Sequence, residues 1–158
     1  MVRVGAARSI SCGLFFFALS IGIFQTQTPA AADDFCDVLA EIVDSVPTGF
    51  KDITKADGKA TVSLPGTSNC EAGLVDSSFI CTIVDGVDKA SAGKAHAAFS
   101  EKVAACYPNA KREASKSPAF LNVNTFRLQG SSVIVSVQVT SITGTGHDVT
   151  IDIYDLDD

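Results

Sequence analysis

The chain has no tryptophan, a single methionine at position 1, two tyrosines and two histidines among 158 residues. Each scarcity removes something. Without Trp, and with no Met beyond the first residue, the indole anchors and flexible thioether surfaces common at binding hot spots are missing. Two Tyr give few stacking surfaces for sugars, which weighs against glycoside hydrolysis by paired carboxylates. Bases are also short, 12 Lys or Arg against 18 Asp or Glu, and a net negative chain matches nucleic acid poorly. With 19% charged and 46% apolar residues, the composition is nonetheless that of a folded chain rather than a disordered one.

The motifs that mark common chemistries are absent too. Neither Gly-x-Gly-x-x-Gly nor Gly-x-x-x-x-Gly-Lys occurs, and Gly144-Thr145-Gly146 joins two expected strands rather than a strand and a helix, so nucleotide binding is unsupported. No Cys-x-x-Cys pair exists, and His96 and His147 stand outside any ligand spacing, so neither a metal nor a cofactor is expected. Asp152, Asp155, Asp157 and Asp158 make an acidic ending, yet the twelve-residue calcium loop with its central Gly and closing Glu is lacking. His147 and Asp148 adjoin without an activated serine, since no Gly-x-Ser-x-Gly elbow is present. No catalytic residues are therefore assigned.

What is present begins with an address. Arg3 and Arg8 precede an apolar stretch from Ile10 to Phe24, and Ala30, Ala31 and Ala32 follow Pro29, the pattern of a signal peptide cleaved after residue 32. The apolar stretch as a helix spans about 22 Å, short of the ~30 Å hydrocarbon core, so no stable membrane insertion is expected after its removal. Cys12 lies ahead of the Leu14 to Phe17 run, where a lipoprotein cysteine would follow it. The expectation is one exported domain over residues 33–158, periplasmic or extracellular, holding 10 Lys or Arg against 18 Asp or Glu.

Cleavage turns five cysteines into four, and an even number in an exported chain reads as disulfides. Cys70 and Cys81 flank a segment able to fold back about Val75 and Asp76, which pairs them and leaves Cys36 for Cys106.

Hydrophobic periodicity supplies the elements. Phe35, Leu39, Ile42 and Val46 predict a helix from Asp34 to Val46, stopped by Pro47, Thr48 and Gly49. Strands are expected at Phe50–Ile53, Ala60–Leu64, near Cys70 and at Phe79–Val84. A second helix should start near Val87 or Asp88 and end at Cys106, with Ala92, Ala95, Phe99 and Val103 inward; Gly93 within it suggests close approach to a neighbour. Residues 109–118, with Lys111, Arg112 and Lys116, read as a polar connection. Strict alternation then predicts strands Phe120–Leu128, Val133–Val139 and Val149–Tyr154, turning at Gln129-Gly130-Ser131 and Gly144-Thr145-Gly146. Ser136, Gln138, Thr150, Asp152 and Tyr154 should share the polar face of this meander.

The order helix, strands, helix, three strands indicates an α+β domain, two helices on one face of an antiparallel sheet, braced by two disulfides. For function the residues favour an exported, acidic, non-catalytic binding module, an inhibitor or accessory protein for a basic protein or a cationic ligand. The alternatives are a small-ligand carrier or minor hydrolase with a cavity between helices and sheet, His96 or Tyr154 serving as its polar group, and a structural envelope protein without a discrete site.

Overall fold

The computed structural model describes residues 30–73, 77–117, 120–142 and 146–157. The leader up to residue 29 and the turn positions Val75, Asp76, Gly144 and Thr145 lie outside the described residues. Helix α1 spans Ala30–Asp44, strands β1 and β2 span Ser68–Ala72 and Ser78–Val87, and helix α2 spans Lys89–Cys106. Strands β3 (Lys111–Ser115), β4 (Phe120–Arg127), β5 (Val133–Ile142) and β6 (Gly146–Asp155) complete the domain. All strands join one antiparallel sheet in the order β1-β2-β6-β5-β4-β3. This is the expected α+β class.

The helices form because their apolar positions recur on one stripe. Phe35, Leu39 and Ile42 of α1 are buried, as are Ala92, Phe99 and Val103 of α2, and they meet the inward residues of β2, β5 and β6 in one core. Asp88 caps α2, its Oδ1 accepting from the backbone N–H of Ala90 at 2.9 Å and of Ser91 at 3.1 Å, which satisfies donors that the first helical turn leaves unpaired. The Phe35 and Phe99 rings meet edge to face with centroids 5.9 Å apart, and Lys102 Nζ lies over both, 5.2 and 4.5 Å from the centroids. Disulfides Cys36–Cys106 and Cys70–Cys81 close with Cα–Cα distances of 5.2 and 4.1 Å. The first ties α1 to the end of α2, and the second crosses β1 and β2.

Five local expectations are corrected. Helix α1 begins at Ala30 and stops at Asp44, and Val46–Thr48 forms a short 3₁₀ turn. Phe50–Ile53 is not a strand: Gly49 and Phe50 both take positive φ of 62°, and Lys51–Ile53 coils as a second 3₁₀ turn. Ala60–Leu64 makes only an isolated bridge, Ala60 to Thr54, although Leu64 is buried. The polar connection contains edge strand β3, whose five residues are all exposed; a charged edge strand lacks apolar alternation because neither of its faces is buried. Gly93 has open space rather than a close neighbour where a Cβ would stand.

Candidate functional site

Both helices belong to one side of the sheet, and among the described residues no helix covers the other side. Register decides which residues stand there, since alternate strand residues point to opposite faces. Phe79, Cys81, Val135, Val137, Ile151 and Ile153 belong to the core. Their neighbours therefore populate the open face. One row across it runs Tyr154, Ile134, Arg127, Lys111, and the next runs Glu71, Ile80, Asp152, Ser136, Thr125, Glu113. A third runs Thr82, Thr150, Gln138, Val123. The expected polar set of Ser136, Gln138, Thr150, Asp152 and Tyr154 is thus assembled on one surface, on which Ile134 at 1% exposure and Ser136 at 4% are buried.

Asp152 stands in the middle of this face. Gln138 Nε2 donates to its Oδ2, whereas its buried Oδ1 has no hydrogen-bond partner among the described residues. Burial pushes the carboxyl up to about 6, and the Thr150 hydroxyl opposes this only in part, without closing a hydrogen bond to Oδ1. Tyr154 is also pushed up, first by burial and then by the Asp152 charge. Towards the β3 edge, Lys111 Nζ and Glu113 Oε1 pair at 2.7 Å.

The two polar residues singled out from sequence, His96 and Tyr154, are not brought together. Tyr154 pairs with Ile134 on the open face, while His96 lies under α2, 7% exposed, with Nε2 3.1 Å from the carbonyl of Val137. The sheet separates them. A carbonyl can only accept, so Nε2 carries the proton in the neutral ring and Nδ1 offers a lone pair. Burial lowers the His96 pKa, opposed by the Val137 carbonyl and aided by the charge of Arg112. Beside His96 opens a cleft of about 470 Å³ bordered by Ala114, Ser115, Lys116, Asn122 and Asn124.

Other candidates dissolve into structure. His147 lies in β6 and is half-buried, and Asp148 Oδ1 accepts from the Gly86 N–H at 2.8 Å, next to a bulge between β2 and β6. Asp155 Oδ1 accepts from the Asp157 N–H at 3.0 Å. Among the described residues no group of three or more His, Cys, Asp or Glu is placed to hold a metal, and no helix is long and apolar enough to cross a membrane. Comparison with protein-family models, with curated proteins and with solved structures found no match to this chain.

Proposed function

We propose that the domain is an exported, non-catalytic binding module that presents the polar face of its sheet, the one opposite α1 and α2, to a basic segment of a protein partner. The observation that carries this reading is Asp152, a carboxylate held half-buried among Gln138, Thr150 and Tyr154 with Oδ1 unpartnered. A buried oxygen of this kind costs free energy unless a donor reaches it, and a Lys or Arg side chain from a partner supplies one when the side chains around Asp152 part to admit it. Glu71 and Glu113 stand at the two ends of the same row, and the acid excess of residues 33–158 favours encounter with a positive surface. Export is supported by the leader pattern of residues 1–32 and by two disulfides, which persist in oxidising compartments.

The test titrates isotopically labelled protein with a Lys/Arg-rich peptide and with an acidic peptide of equal length, following backbone amide shifts across a salt series. The expected result is selective shifting of β5 and β6 amides by the basic peptide, weakening as salt rises, and about tenfold weaker binding by Asp152→Asn. Shifts confined to the helical side, or equal responses to both peptides, would remove the reading.

A further inference from the structure

The cleft under α2 has a composition unlike the rest of the chain. In a molecule with a clear acid excess, no carboxylate borders it, and Lys116 stands at its rim. Lys116, like most of the described bases, makes no ion pair among the described residues. Arg112 adds a second positive field at His96.

The floor is built and polar. His96 is held by the Val137 carbonyl through Nε2, so Nδ1 is an acceptor with no hydrogen-bond partner among the described residues. Asn124, 7% exposed, is fixed by its Nδ2 donating to Ser100 Oγ at 2.8 Å, which leaves the amide oxygen as a second acceptor in a set orientation. Two preoriented acceptors at the bottom call for a ligand with hydroxyl donors. An amide at Asn122 and an ammonium at the rim call for an anionic group on the same ligand. Concave sites of a few hundred Å³ with a small set of convergent polar groups are the usual form of small-molecule sites.

We infer that this cleft binds a small hydroxylated organic anion of the hydroxycarboxylate or sugar-acid class. Its hydroxyls donate to His96 Nδ1 and Asn124 Oδ1, and its carboxylate faces Lys116 and the Asn122 amide. The site is independent of the open face, because the sheet lies between them.

Gluconate serves as the probe, with glucose as the neutral hydroxylated control and acetate as the anion without hydroxyls. At neutral pH the side-chain amides of Asn122 and Asn124 and the His96 ring nitrogens are followed by nitrogen-15 spectra, and affinity by calorimetry. Gluconate is expected to shift these signals and to bind at least about tenfold more tightly than either control. Lys116→Ala, at an exposed position that leaves folding intact, should weaken gluconate about tenfold, and His96→Gln should abolish the His96-linked response. Gluconate that leaves the Asn122 and Asn124 amides unmoved, gluconate no tighter than acetate or glucose, or undiminished binding by Lys116→Ala would each overturn the assignment. Should His96→Gln fail to fold, Lys116→Ala decides alone.

Discussion

Gln138 and Asp152 stand on a diagonal between β5 and β6, Asp152 opposite Ser136 and Gln138 opposite Thr150, and the amide nitrogen of Gln138 donates to Oδ2 of Asp152 while Oδ1 is left buried without a partner among the described residues. One hydrogen bond is therefore asked to support a carboxylate that water would surround with several. Burial raising the carboxyl to about 6 is the electrostatic expression of that shortfall.

The shift has a sign that can be measured. An unfolded Asp titrates near 3.9, so between about pH 4 and pH 6 the native state holds the proton that the unfolded chain has released, and stability falls as pH rises through this window. The ionised penalty is at most about 3 kcal/mol and is reduced by the residual exposure of the site. Asp152→Asn removes the ionisation. Denaturant unfolding should find the variant more stable than the wild type at pH 8 and the advantage gone at pH 4, whereas a constant difference across that range would exclude Asp152 as its source. Binding of a basic peptide should run the opposite way, strengthening as Asp152 ionises.

Two glycines should respond oppositely to alanine. Gly93 sits inside α2 with nothing near the position of a Cβ, so Gly93→Ala gains helix propensity and should stabilise by about 1 kcal/mol. Gly146 has φ of +112°, and a Cβ there would stand 2.7 Å from the Gly86 carbonyl oxygen. Gly146→Ala must move backbone in β2 or β6 and should cost about 2–4 kcal/mol. Thermal unfolding of both variants in one buffer distinguishes them.

The disulfides differ in reach. Cys36–Cys106 spans 70 residues of sequence and Cys70–Cys81 spans 11, and loop-closure entropy gives about 4 and about 3 kcal/mol respectively. The double variant Cys36→Ala/Cys106→Ala should lose the larger amount by equilibrium unfolding. A larger loss on removing Cys70–Cys81 would indicate that local packing of Cys70 and Cys81, both buried, outweighs chain entropy.

Much of this architecture was legible where burial writes a period. The helical spacing of Phe35, Leu39 and Ile42 and the alternation of Val133, Val135, Val137 and Val139 each report a face turned to the core. The cysteine pairing was legible because a local fold-back accounted for Cys70 and Cys81. Strand β3 was not, since an edge with both faces exposed leaves no apolar signature, and the segment around Phe50 reads as a strand although positive backbone angles at Gly49 and Phe50 coil it. The placement of β6 between β2 and β5 is a long-range pairing that local pattern does not encode. For the open face, the available signal was an Asp between Ile151 and Ile153: acidic residues are depleted in strands, so one at the centre of an alternating run marks a position retained against preference. His96 and Tyr154 stand apart because strand alternation turns Tyr154 to the polar face while α2 carries His96 on the opposite side of the sheet.

Val137 and Gln138 are consecutive. The carbonyl that receives His96 Nε2 belongs to the same amide unit whose nitrogen is that of Gln138, and the Gln138 side chain reaches Asp152 on the far side. The acidic surface and the histidine cleft thus stand back to back, separated by the thickness of a single peptide unit.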